Sequence, residues 1–305
     1  MRKLNLVRVL KGFLSVAIVL IWSNAALAQD RARVVAVNQA LHDFAERILD
    51  GAAEVIFPVP EGVDPSFWRP SIADISMIQS ADLILLNGAG FATWIDRVSL
   101  PRSRVVNTTA EIEDQFIVTE SITHSHGDGG EHSHEGIASY TWLDPMLAIA
   151  QAEAIAAAVI ARYLATAEDV EARLEDLMSE LMELDTTARN ALSGLQGVEM
   201  IASHPRYQYF ARRYGLSVTS LEWEAGAIPT EDQLAELERL TTELGARILI
   251  WEAQPLPEAI EAAKALGLQS VVFEPWASPG TQDTLMEAYG NAVSGLSEAA
   301  IQSSN

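Results

Sequence analysis

Cysteine is absent from all 305 residues, so the chain has neither a disulfide framework nor a lipid-modified amino-terminal cysteine. Basic residues are scarce: 20 Lys and Arg stand against 42 Asp and Glu, a formal net charge of −22. Phosphate binding depends on clustered Lys and Arg, so nucleic acid is not an expected partner. The acid excess itself is an ordinary means of staying soluble. Long apolar runs are also rare. One lies at Phe13 to Trp22, short of the roughly 20 residues that span a bilayer, and no other segment is long enough to cross. Nucleotide-cradling glycine patterns, an HExxH motif and a nucleophile elbow are all missing, which leaves no catalytic signature and favours a binding module over an enzyme.

The amino terminus carries Arg2, Lys3, Arg8 and Lys11, then the apolar run, then Ala26, Leu27 and Ala28 before Gln29. A basic start, a short apolar stretch and a small-x-small site predict a cleavable secretory signal peptide over residues 1–28, and hence a free periplasmic protein. Cleavage removes four basic and no acidic residues, leaving a mature chain still more acidic and about two domains long.

Short apolar, β-branched runs alternate with helical patterns along the mature chain, the signature of parallel sheets covered by helices. Strands are expected at 33–37, 53–59, 82–87 and 104–107, with helices at 39–49, 70–80 and 91–98 between them. A second block has strands at 198–203, 217–221, 248–252 and 270–273, with helices at 205–214, 230–244, 256–266 and 281–296. An Ala, Glu and Leu-rich stretch from Pro145 to Leu192 without internal Gly or Pro predicts two long helices, the second free to act as a strut between lobes. No sequence repeat relates the two blocks.

Four of the six histidines, His124, His126, His132 and His134, fall within HSHGDGGEHSH, residues 124–134. Imidazole is the commonest protein ligand for divalent transition metals, and such a run cannot build a packed core. Ligands of open parallel sheets bind beyond the carboxyl ends of the strands. Four segments there carry candidate donors: GVDPSFWRPS (62–71) with Asp64, SYTWLDP (139–145) with Tyr140, SHPRYQYFARRYGL (203–216) with His204, and FEPW (273–276) with Glu274. Glu222, Glu224 and Glu252 also follow strands and offer other carboxylates. Trp68, Trp142, Trp223, Trp251 and Trp276 flank the same segments, where packing accounts for them.

Taken in order, RPS followed by ADLILLNGAGFATWID (81–96), a His-rich insertion directly before WLDP, and His-Pro followed by Tyr-Phe and Tyr-Gly-Leu resemble the zinc and manganese family of periplasmic solute-binding proteins of ABC transporters, the ZnuA-like group (cluster A-I). The resemblance covers nearly the whole mature chain. It implies an α/β fold of two four-stranded parallel-sheet lobes joined by one long rigid helix, with a metal cleft between them. The corresponding boundaries are 29–165 for the amino-terminal lobe, 166–193 for the linking helix and 194–305 for the carboxyl-terminal lobe.

By position in the motifs, the resemblance puts the first family ligand, normally histidine, on Asp64 and the second on Tyr140. His204 is retained, and the acidic fourth position falls on Glu274. Two carboxylates, a phenol and an imidazole form a set richer in hard oxygen than a typical zinc site. The implied cargo is zinc, with manganese or iron the alternative, and His134 lies near enough to Tyr140 in sequence to supply a substitute imidazole. The expected partners are the metal ion and the membrane permease of a metal ABC importer, with the binding protein acting as a monomer. A loop-only metal buffer or chaperone with a degenerate cleft is the competing expectation.

Overall fold

The computed structural model describes residues 31–119, 136–223, 226–279 and 284–303. The chain divides into Met1–Ala32 and Arg33–Asn305, and all the described strands and helices belong to the second unit. The expected signal peptide and the histidine run at 124–134 lie outside the described residues.

Continuous apolar runs produce the central strands of each sheet, which are buried on both faces as parallel sheets require, while the edge strands are only partly buried. In the first lobe β1 (Arg33–Ala36), β2 (Glu54–Ile56), β3 (Leu83–Leu86) and β4 (Val105–Asn107) form a parallel sheet in the order β2-β1-β3-β4. A two-stranded antiparallel pair follows, β5 (Val118–Thr119) with β6 (Gly136–Ile137), which brackets the segment carrying the histidines. In the second lobe β7 (Glu199–Ala202), β8 (Ser217–Ser220), β9 (Ile248–Trp251) and β10 (Gln269–Val272) are again all parallel, ordered β10-β9-β7-β8. Numbered within each lobe, the first order reads 2-1-3-4 and the second, taken from its other edge, 2-1-3-4 as well. The lobes are therefore a topological repeat that their residues do not advertise.

The helices start where their caps dictate. Asn38 accepts from the Leu41 N–H at 2.8 Å to open α1 (Gln39–Leu49). Ser71 and Asp74 form a capping box at the start of α2 (Ile72–Ser80). Asp144 caps α3 (Pro145–Ala161), whose Pro at the first position needs no N–H partner. Thr166 caps α4 (Ala167–Ala191), which at 25 residues runs about 38 Å. In the second lobe lie α5 (Gln208–Tyr214), α6 (Glu231–Leu244), α7 (Pro257–Ala265) and α8 (Leu285–Ser303).

Helix α4 packs on α1 and α3 of the first lobe and on α8 of the second, burying Val170, Leu177, Leu181, Asp185 and Ala188. It is the strut expected between the lobes. Further ties cross directly: Gln39 N–H to Ala277 O at 2.8 Å, Trp142 Nε1–H to Pro275 O at 2.7 Å, and the Tyr289 hydroxyl to Leu143 O at 3.0 Å. Among the described residues no helix is long and apolar enough to cross a membrane.

The helix expected at 91–98 does not form. Only a single 3-10 turn at Ile95–Arg97 remains. Gly88, Ala89 and Gly90 all take left-handed backbone angles, and Thr93 gives both its N–H and its hydroxyl to Ser66 O, at 3.2 and 3.1 Å. Those bonds draw the segment onto the loop after β2 instead of letting it close on itself.

Candidate functional site

In a sheet ordered 2-1-3-4 the chain turns in opposite directions from strand 1 and strand 3, so the crevice lies at their carboxyl ends. In the first lobe Asn38 follows β1 and Asn87 follows β3. In the second, Ser203 and His204 follow β7 and Glu252 follows β9. The Asn38 amide donates to Asn87 Oδ1 at 3.3 Å, and Gln151 Nε2 donates to the same oxygen and to the Thr108 hydroxyl, both at 3.0 Å. The Thr141 hydroxyl donates to Gln151 Oε1 at 3.1 Å and Asn87 Nδ2 to Ser139 O at 2.9 Å. These two bonds pin both neighbours of Tyr140.

Tyr140 is accordingly buried, edge-on to Phe91 with ring centroids 5.6 Å apart, and its hydroxyl meets that of Ser66 at 3.3 Å. Burial pushes this phenol well above the ordinary tyrosine range, with the Arg206 charge pulling the other way and Asp64 adding to the rise. Tyr140 therefore stands in the cleft as a neutral phenol.

Asp64 folds into an Asx turn, its Oδ1 accepting from the Ser66 N–H at 2.8 Å. Its other oxygen accepts from Arg206 Nη2 at 2.6 Å. Arg206 Nε donates to Glu252 Oε2 at 3.1 Å, and the guanidinium carbon sits 4.6 Å from the Tyr140 ring centroid. Only 6% of Arg206 is exposed. Burial opposes its charge, but Tyr140, Glu252 and Asp64 outweigh that cost and hold it more firmly protonated than an ordinary arginine. The planar fork is suited to being shared in this way between carboxylates and an aromatic face.

His204 Nδ1 lies 2.6 Å from Trp223 O and 4.0 Å from Glu252 Oε2. A carbonyl can only accept, so Nδ1 carries the hydrogen and, in the neutral ring, Nε2 keeps its lone pair. Orienting a ring through its second nitrogen is the usual way a protein prepares an imidazole for a cation. Glu252 is held in turn by its own N–H, which donates to the Ser203 hydroxyl at 3.2 Å.

Glu274 follows β10, partly buried, between Phe273, whose carbonyl accepts from the Tyr207 hydroxyl at 2.7 Å, and Pro275, whose carbonyl accepts from Trp142. Its charge reaches Tyr207. Of the other carboxylates that follow strands, Glu252 enters the cleft, Glu222 is exposed, and Glu224 lies outside the described residues, as do His124, His126, His132 and His134. Trp68, Trp142, Trp223, Trp251 and Trp276 are all buried.

The structure thus gathers Asp64, Tyr140 and Glu252 around one guanidinium, with the His204 ring 4.0 Å from Glu252. Among the described residues no three His, Asp or Glu side chains are grouped so as to hold a metal ion. Sequence reasoning missed Arg206. Its signal was a cation inside SHPRYQYF, two residues past a proposed ligand and in a segment expected to face carboxylates.

The family description of ZnuA, zinc-uptake complex component A, periplasmic, matches residues 34–299. The zinc-binding protein AdcA of Streptococcus pyogenes serotype M3 is 24% identical over 263 residues, covering 82% of this chain and 51% of AdcA. The chain thus spans about half the length of the AdcA relatives it matches. The high-affinity zinc uptake system protein ZnuA of Bacillus subtilis strain 168 is 26% identical over 280 residues, covering 88% of this chain and 81% of that protein. The crystal structure of the metal-dependent lipoprotein YcdH from Bacillus subtilis superposes with a TM-score of 0.73 at 20% identity, over 88% of this chain and 98% of the other, a likeness of fold. Two like-ordered parallel sheets, a bridging helix and a match over nearly all the described residues make this chain a member of the ZnuA family of solute-binding proteins, which are not enzymes.

Proposed function

We propose that this protein captures a divalent metal ion, zinc, outside the cytoplasm and delivers it to the membrane permease of an ABC importer. The observation that carries the reading is His204, whose Nδ1 is committed to the Trp223 carbonyl so that Nε2 keeps its lone pair, on a ring 4.0 Å from the Glu252 carboxylate at the switch point of the second sheet. Asp64, Tyr140, His204 and Glu274 remain the proposed cleft donors, with Glu252 added to them. The boundaries 29–165, 166–193 and 194–305, cleavage after Ala28 and a monomeric state complete the proposal. Elemental analysis of untagged mature protein, followed by competition titration of wild type and His204→Ala, tests it. Loss of the tight site in the variant is expected.

A second reading keeps the fold and changes the cargo to manganese or iron. It is favoured by the oxygen donors Asp64, Glu252 and Tyr140, since oxygen-rich sets suit those metals. The neutral Tyr140 phenol resists ionisation, so a ferric tyrosinate forms only if the cation itself displaces the proton. Visible absorbance separates the cases, because a tyrosinate-iron complex is coloured and a zinc complex is not.

The histidine run supports zinc from sequence alone. Loosely held imidazoles at His124, His126, His132 and His134 would collect metal for the cleft, on a segment whose ends are paired by β5 and β6. Deleting residues 123–135 should remove the weaker sites and spare the tight one.

A further inference from the structure

Arg206 is the one buried cation in the described cleft, and its position conflicts with the proposed cargo. Its Nη2 takes Asp64 Oδ2, from the first lobe, at 2.6 Å, and its Nε takes Glu252 Oε2, from the second, at 3.1 Å. Its face lies over the Tyr140 ring and its backbone N–H is bonded to His204 O at 2.9 Å, so the side chain starts from the same turn that presents the imidazole. The carboxylate oxygens a divalent ion would use are already neutralising a cation, and that cation also links the lobes.

We propose that Arg206 is an internal competitor for the cleft, an affinity-determining residue whose guanidinium occupies the cation position in the metal-free protein and must withdraw before a divalent ion can bind at Asp64, Glu252 and His204. The inference rests on the zinc-receptor reading. With the guanidinium in place, an incoming divalent ion meets a like charge among the same oxygens, which weakens its binding strongly at such short range. With the guanidinium gone, the two carboxylates lack a counter-ion and recruit one, because an uncompensated buried charge is costly.

The test is a zinc competition titration of the full chain against a chromophoric chelator, comparing wild type with Arg206→Met, Arg206→Gln and Arg206→Lys. The neutral Met and Gln variants should bind one zinc at least tenfold more tightly than wild type, while the Lys variant, which keeps a cation, should stay within about threefold of it. Gln retains a donor for the carboxylates and serves if the Met variant does not fold. Equal zinc affinity in wild type and the folded neutral variant overturns the competitor while leaving the receptor reading intact. No tight zinc site in any of the four overturns both.

Side-chain nitrogen NMR of wild type supplies an independent check. The Arg206 Nε–H signal, assigned by its loss in the Lys variant, should move as the His204 ring signals report zinc arriving. A His204 shift with Arg206 unmoved would place both cations in the cleft together and overturn the proposal.

Discussion

Asp64 and Arg206, 142 positions apart in sequence, meet at 2.6 Å and close an ion pair between the loop after β2 and the turn after β7. Arg206 is nearly fully buried and Asp64 about one-third exposed, so the pair is half in water. Its worth to folding comes mainly from not stranding the guanidinium.

Replacing Asp64 with Asn should therefore destabilise the metal-free protein by about 1–2 kcal/mol, the lower end for a charged hydrogen bond because water reaches the carboxylate. Glu252→Gln should cost more, since Glu252 is the less exposed partner. Urea unfolding curves measure both. Equal stability of Asp64→Asn and wild type would show that Glu252 alone neutralises Arg206.

Behind the cleft, Arg213 Nε and Nη2 each donate to Asp185 at 2.7 Å, with Arg189 adding a third bond at 3.3 Å. Burial works to raise the Asp185 carboxyl, yet these hydrogen bonds and charges prevail and hold it below the ordinary aspartate range. The unfolded chain then takes up the proton first. The stabilisation is whole above the unfolded value of about 3.9 and is lost as pH falls through the lower native value. Asp185→Asn should lose about 1–3 kcal/mol near neutral pH, and the gap to wild type should shrink below about pH 4. A gap that stays as large below about pH 4 as it is near neutral pH would contradict the assignment.

Gln151 joins Asn87, Thr108 and Thr141 in a buried network, and its loss takes the acceptor from the Thr141 hydroxyl and one bond each from Asn87 Oδ1 and the Thr108 hydroxyl, where no water replaces them. Gln151→Leu should cost about 2–4 kcal/mol, being roughly two unmet hydrogen bonds. Because the network pins the neighbours of Tyr140, the Tyr140 ring environment should change as well, which near-ultraviolet circular dichroism reads. An unchanged spectrum with lowered stability would confine the network to a structural role.

Leu177 of α4 is fully buried where the strut meets its neighbours. Leu177→Ala should lose about 2–5 kcal/mol, the range for a buried leucine truncated to a cavity. Thermal unfolding followed by calorimetry is the appropriate measure, and a loss below about 1 kcal/mol would mean that the strut packs loosely.

Most of the fold was legible because the central strands are short apolar runs and most helices carry their own start signal, as with Ser71 and Asp74 or Thr230 and Gln233. The turn at 91–98 was not, since its path is set by Thr93 bonding to Ser66, far away in sequence. The short strands β5 and β6 have too few residues to show a period. His204 was visible from its motif, and Glu252 from its place after a strand. Arg206 does not stand out in the sequence, because a charged residue reads as buried only once partners 142 and 46 positions away are known to converge on it.

The most direct measurement of the central claim is the zinc affinity of His204→Ala beside wild type, each as full mature chain in competition with a chelator of known strength. Removing the His204 imidazole should weaken the tightest site at least tenfold, by analogy with the loss of even a supporting group at a metal site, and leave the weaker sites in place. Equal tight binding by the variant and wild type would contradict the claim and move zinc capture out of the cleft.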